Sequence, residues 1–464
     1  MLTAKKPNLE SLTSINPDGS RYFLHPADVH GKYTLWRRLF GAGLLAVYVL
    51  LPWIPVGGHP AIFFNLAELR FHFFGLTFFA EDLWIGFFLL TGLGFGLFYV
   101  TALFGRLWCG WACPYTVFLE HVYRRIERFI DGDSLARRKL DTARWNGEKI
   151  FKRLLKHGLF ILISLLIAHV FISYFVSLPR LYEYMQQSPL NHAKAFGVMV
   201  FLTGSLYFSF SWFREQFCII LCPYGRIQST LTDDDTIVIG YDEGRGEPRG
   251  KKSDPGTGDC IACNRCVQVC PTGIDIRNGL QLECIGCANC IDACNQVMDK
   301  TGRPRGLIRY DSSRGLAGKR TRFWRPRIAL YTALMCLGIA VLGGFLTGLR
   351  SAKIELIRMP GQPFYVDDHE VRNQLRLHLA TKQSQATRFR ISVSDLPDGA
   401  VVSGIEDAVI LEPGEETMKT VLIRMPVERY TGRFQVTFQA RVSPGDFAIS
   451  DSIEFLGPSA YTLE

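Results

Sequence analysis

The chain has 464 residues, room for several domains, and 48% of them are apolar, with 34 Phe and 43 Gly, a balance that points to membrane spans and away from one soluble core. Lys and Arg number 52 against 43 Asp and Glu, a formal net charge of +9. That excess calls for no nucleic-acid partner, because a membrane protein with basic cytoplasmic loops carries it anyway.

In chain order, residues 1–35 are polar, and the first apolar run lacks a small-residue cleavage pattern. We read them as a cytoplasmic N-terminal segment before a retained first span. The charge-free stretches 39–58, 83–104, 158–178, 195–213 and 328–349 each suffice to cross a ~30 Å hydrocarbon layer as a helix. Residues 62–79 are also apolar but are interrupted by Glu68, Arg70 and His72, so they are expected to be interfacial or re-entrant. The loop 105–157 holds Arg124, Arg125, Arg128, Arg137, Arg138 and Lys139 among its basic residues, whereas 59–82 holds only Arg70. The basic loops are therefore expected inside, the amino terminus inside and the carboxyl terminus outside.

Within the four-helix membrane domain at 36–230, two short motifs repeat: WCGWACPYT at 108–116 and FCIILCPYG at 217–225. On an α-helix, residues four apart share a face, so Cys109 with Cys113, and Cys218 with Cys222, can each grip one atom. Pro114 and Pro223 suit the first position of a new helix, leaving Cys113 and Cys222 at its amino end, where backbone dipoles favour thiolate. Soft thiolates select Cu(I) or iron-sulfur. Two pairs brought together would make a four-sulfur copper or redox site, a dithiol–disulfide relay being the alternative. His121 and His169 are weaker ligand candidates, and histidines so placed are more often structural. The GLGFG run at 92–96 reads as close helix packing. No P-loop or dinucleotide fingerprint is present.

After a polar linker at 231–258, residues 259–312 contain CIACNRCVQVCP and CIGCANCIDAC, two runs of C-x2-C-x2-C-x3-C. Three thiolates on a tight loop hold three corners of a 4Fe-4S cube, and the fourth cysteine reaches the other cube. The crossed sets are Cys260, Cys263, Cys266 and Cys294 for cluster one, and Cys284, Cys287, Cys290 and Cys270 for cluster two. Paired four-cysteine zinc sites are the rival, but zinc favours two separated C-x2-C knuckles per metal. In the fifth span, Cys336 is read as a small packing residue. Residues 353–464 turn to short alternating runs such as QLRLHLA and RFQVTFQARV, the pattern of a β-sandwich without cysteine.

The stretches GRLWCGWACP, CPYGRIQS, DDDTIVIGYDEGRGEPRG, VQVCPTGIDIRNGLQLECIGCANCIDAC and GLIRYDS together resemble, along nearly the whole chain, the FixG/RdxA/CcoG family of cytochrome oxidase accessory proteins. Tyr115 stands where the family often has Gln, and Asn295 where Asp is more usual. The resemblance implies a multi-pass protein of the bacterial inner membrane, with cytoplasmic clusters and a periplasmic immunoglobulin-like domain. It further implies a cupric reductase supplying Cu(I) for assembly of a cbb-type oxidase. Its cofactors would be two 4Fe-4S clusters, with copper as substrate or bound metal at Cys109, Cys113, Cys218 and Cys222. Its partners would be an unidentified electron donor and a copper-exporting pump, copper chaperone or oxidase subunits; a homo-oligomer stays open. Two other readings are an electron-transfer subunit fed by quinol and a non-enzymatic assembly scaffold.

Overall fold

The computed structural model describes residues 23–458 apart from 80–81, 251–255, 348–350 and positions 368, 384 and 407. Most of the polar N-terminal segment and part of the linker thus lie outside the described residues. The chain divides into two compact units, residues 1–53 with 85–342, and residues 54–84 with 343–464.

The first unit contains most of the apolar length. Lys32–Trp53, Leu83–Phe104, Gly147–Ile172, Ala193–Phe213 and Pro326–Phe345 are helices long and apolar enough to cross a membrane. Two begin earlier than hydropathy suggested. Lys32–Leu50 takes Arg37 and Arg38 into the helix, where Arg37 Nε and Nη1 donate to the Gly110 carbonyl and Asn289. Gly147–Ile172 starts on a basic turn because the Asn146 side chain accepts from the Lys149 amide at 2.8 Å, the usual service of an N-cap. The glycines at 92–96 do not all serve packing as expected: a Cβ at Gly92 or Gly94 would meet nothing, and only Gly96 faces another helix, at Met335. Cys336 is exposed along the fifth helix rather than packed against neighbours.

The supposed linker is partly core. Val238–Tyr241 pairs antiparallel with Ile308–Asp311, and Ile239, Tyr241, Leu307 and Ile308 bury one hydrophobic cluster with Cys260, Cys266 and Cys294. Alternating apolar residues in DTIVIGY are enough for a strand, and only a partner 70 residues away reveals which side they bury.

The second unit is a sandwich of two antiparallel sheets. One runs in the order Val401–Ser403, Glu416–Pro426, Glu370–Thr381, Ala352–Arg358, with Tyr365–Val366 added on Glu370–Thr381; the other runs Ala408–Leu411, Thr387–Ser394, Phe434–Ser443, Phe447–Phe455. Leu375, Leu377, Val421 and Ile423 from the first sheet pack with Phe389, Val436 and Phe438 from the second, the inward half of each two-residue alternation. The segment at 62–79 corrects its interfacial or re-entrant reading. It is a three-stranded meander, Ile62–Asn65, Arg70–Phe73 and Leu76–Phe78, joined to the sandwich by Arg70 to Glu416 at 3.6 Å and Lys382 to Asp82 at 2.5 Å. Of its interrupting residues, Arg70 is a strand residue paired with Glu68 and Glu416, and His72 is a strand residue bonded to Thr77.

Candidate redox site

Both cysteine motifs at the ends of apolar helices fold the same way. Cys113 precedes a helix beginning at Pro114, and Cys222 one beginning at Pro223. The Cys113 amide donates to the Trp108 carbonyl and the Cys222 amide to the Phe217 carbonyl, each at 2.9 Å. These bonds span five residues, so each C-x3-C lies on a widened turn of the kind common at functional sites rather than on a regular α-helical face. The repeat is also swapped in space. Tyr115 of the first motif stacks on Phe217 of the second at 4.3 Å, while Tyr224 of the second packs on Cys109 of the first.

The four thiols come together as neighbours. The Cys218 sulfur interacts electrostatically with Cys113, Cys109 and Cys222. Burial pushes Cys218 up to about 12 and also raises Cys109, opposed at both by the Arg106 guanidinium. At these two, which precede the helix ends where thiolate is expected, burial favours the protonated thiol, so a soft metal that displaces the proton is what would ionise them. Gln228 donates to the Cys109 sulfur at 3.4 Å. Among the described residues no three His, Cys, Asp or Glu converge as they would around a single ion. His169 instead bonds the Leu165 carbonyl of its own helix at 2.8 Å, and His121 lies against Gly41.

The eight cysteines of the two longer motifs sort into two groups. Cys260, Cys263, Cys266 and Cys294 line one cavity, and Cys270, Cys284, Cys287 and Cys290, with Cys266 at its edge, line another. The Cys294 sulfur interacts with Cys266, Cys263 and Cys260, and Cys290 with Cys287, Cys284 and Cys270. The fit to a cube is also visible in the backbone. Ala262 and Asn264 have φ of 55° and 57°, and Gly286 and Ala288 at the same places in the second motif have 67° and 63°. Left-handed residues outside glycine are strained, and here they wrap each loop so that amides turn inward as an anion-binding nest does. The Gly286 amide donates to Cys284, the Asn289 amide to Cys287 and the Ile308 amide to Cys294. Burial pushes Cys284 and Cys294 up to about 12 and Cys266 and Cys287 up to about 11.

The two thiol sets touch. Cys109, Ile285 and Cys287 form one buried cluster, and a Cβ on Gly110 would stand 2.5 Å from the Ile285 carbonyl oxygen and 2.9 Å from the Cys287 amide nitrogen. Three residues that spacing rules do not single out hold this contact. Arg37 Nε donates to the Gly110 carbonyl at 2.8 Å and its Nη1 to Asn289 at 3.1 Å. Tyr310 donates to the Gly286 carbonyl at 2.6 Å and accepts from the Trp111 indole at 3.2 Å. The Arg106 guanidinium, donating to the Leu282 carbonyl, acts on Cys109, Cys218 and Cys284 together. A charged arginine directly before an apolar cysteine motif was the one signal available for it.

A dicluster ferredoxin-type domain set against cysteine-bearing helix ends, with a separate antiparallel sandwich, defines a membrane-associated iron-sulfur protein. Family models match a 4Fe-4S dicluster domain at 213–313, a 4Fe-4S binding domain at 84–141 and the immunoglobulin-like fold at the C-terminal of FixG at 342–458. The chain is 37% identical to protein RdxA and 38% identical to protein RdxB of Cereibacter sphaeroides, covering 80% and 85% of this chain and 82% and 86% of theirs. It is 33% identical to the nitrogen fixation protein FixG of Rhizobium meliloti over 88% of this chain and 87% of that one. The chain belongs to the FixG/RdxA family.

Proposed function

We propose that this protein is a cupric reductase of the bacterial inner membrane, taking one electron per Cu(II) and releasing Cu(I) for assembly of a cbb-type cytochrome c oxidase. The observation that carries the reading is the burial of Cys109 in one cluster with Ile285 and Cys287, which leaves no solvent layer between the membrane-edge thiols and the second group of cluster cysteines. Two 4Fe-4S clusters, held by Cys260, Cys263, Cys266 and Cys294 and by Cys284, Cys287, Cys290 and Cys270, supply single-electron transfer when bound. Cys109, Cys113, Cys218 and Cys222 are the copper site. Sulfur ligands favour the cuprous ion over the cupric one, which draws the electron onto copper.

Gln228 and Arg106 orient and polarise the Cys109 end of that site, and Tyr115 and Tyr224 lock the two motifs to each other. The excess of basic residues in one set of loops supports an orientation with the amino terminus and the cluster domain in the cytoplasm and the sandwich in the periplasm. There the sandwich is free to dock a copper chaperone, an exporting pump or oxidase subunits. The electron enters from a cytoplasmic donor.

The test is anaerobic. Protein reduced by dithionite and freed of reductant is mixed with Cu(II) and a Cu(I)-specific chelator, and cluster absorbance and Cu(I) are followed together. A variant with all four membrane-edge cysteines changed to serine is run beside it. Cu(I) formed in step with cluster oxidation by the native protein, and not by a variant with intact clusters, upholds the proposal. Equal Cu(I) from both removes those thiols from the reaction, and no Cu(I) from either removes copper.

A further inference from the structure

The arginines at the polar end of the first apolar helix gather around a pocket that the copper chemistry does not use. Arg37, Arg38, Arg124, Arg125, Arg128 and Arg137 all line it, and Asp28 and Glu120 are the carboxylates in its wall. Six cations face two anions in the wall, and Arg124 is also paired behind it with Glu215 at 3.2 Å and bonded to the Pro271 carbonyl at 3.0 Å. Glu120 is shared between Arg37, at 3.4 Å, and Arg124, and Asp28 is taken by Arg128 at 2.6 Å. Arg137 stands 3.8 Å from Glu127, whose two oxygens are already bonded to Arg214 at 2.8 and 3.0 Å. Among the described residues neither Arg38 nor Arg125 has a carboxylate partner. His121, also in the wall, adds no charge, since burial and the Arg37 guanidinium hold it down at about 4.

Arg37, Arg124 and Arg137 are 4%, 7% and 4% exposed. The Nε atoms of Arg124 and Arg137 are buried without any hydrogen-bond acceptor. Buried guanidinium donors left unmet are costly, and charge-assisted bonds to a tetrahedral oxyanion answer several at once. We propose that this pocket binds a phosphate group, in the membrane the headgroup of an anionic phospholipid. The lipid source follows from position: Arg37 and Arg38 precede the charge-free stretch that opens at Leu39, the level at which basic pockets between helices meet headgroups. This rests on the first helix crossing the membrane and is independent of the copper chemistry.

The test uses the full-length holoprotein in a neutral detergent, titrated with phosphatidylglycerol, phosphatidylcholine or inorganic phosphate and read by native mass spectrometry. R125E and R38Q/R125Q are compared, the first at an exposed position so that folding survives, with iron-sulfur absorbance as the check on both. The expected result is phosphatidylglycerol bound in preference to phosphatidylcholine, and weakened roughly 5- to 30-fold in R38Q/R125Q, at about one unit of surface-charge attraction per arginine. Inorganic phosphate binding that is lost in the variants, with no phosphatidylglycerol bound, upholds the pocket and assigns it to a soluble phosphate. The proposal is overturned if neither ligand distinguishes the native protein from the folded variants.

Discussion

Cys109 and Cys287, 178 residues apart in sequence, share one buried cluster with Ile285. Their contact depends on Gly110, whose place leaves no room for a side chain. A methyl group there would meet backbone atoms of Ile285 and Cys287 at 2.5–2.9 Å, and backbone cannot rotate out of the way. Gly110→Ala is therefore expected to push the two loops apart, costing roughly 1–3 kcal/mol. It should slow electron delivery to the membrane-edge thiols while both clusters still assemble. Unchanged Cu(I) formation in single-turnover mixing would count against the contact as the route.

The grouping of Cys294 with Cys260, Cys263 and Cys266, and of Cys270 with Cys284, Cys287 and Cys290, predicts selective losses. Cys294→Ser should perturb the cluster carried by the first motif, and Cys270→Ser the one carried by the second, each leaving the other cube in place. Electron paramagnetic resonance of the reduced variants would show one isolated signal in place of two interacting ones. Identical spectra from the two variants would refute the crossed sets.

His72 gives the second unit a pH dependence. Burial, with His59 and Arg70 nearby, holds it down at about 4 from an ordinary value of 6.5, and it stacks on His59 at 3.9 Å. The unfolded chain then takes the proton more readily than the folded one. Stability from this group is complete above pH 6.5 and is lost as pH falls toward 4. Hydrogen exchange over residues 59–79 of the whole protein should speed up across that window, and H72Q should flatten the response.

Arg214 and Glu127 form a buried bidentate pair, each under 4% exposed. Against burial, the Glu127 and Glu215 carboxylates strengthen the hold of Arg214 on its proton, while the Arg214 guanidinium holds Glu127 down at about 2 despite burial. Glu127→Ala leaves the guanidinium uncompensated and should cost about 3–5 kcal/mol, read as a lowered Tm. A loss below about 1 kcal/mol would mean that water or Glu215 restores the balance.

The family, the five apolar helices and the sandwich were legible in the chain because each rests on a local period: about twenty charge-free residues for a span, two-residue alternation for a strand. The dicluster character was legible too, since two C-x2-C-x2-C-x3-C runs each close three corners of a cube, and a 4Fe-4S dicluster family model matches over them. What only the tertiary structure decided are the meetings of distant segments. The apolar run at 62–79, broken by charges, suggested an interfacial or re-entrant piece, yet it folds as three strands whose Arg70, with the neighbouring Asp82, finds Glu416 and Lys382 of the sandwich. Arg37 reads in sequence as one more inside-positive charge, and in the fold it ties the Gly110 carbonyl to Asn289. The upward push on the Cys218 thiol also escaped spacing rules, because burial there is a property of everything packed around it. Local pattern specifies which face of an element is apolar; which other element covers that face is settled by packing across hundreds of residues.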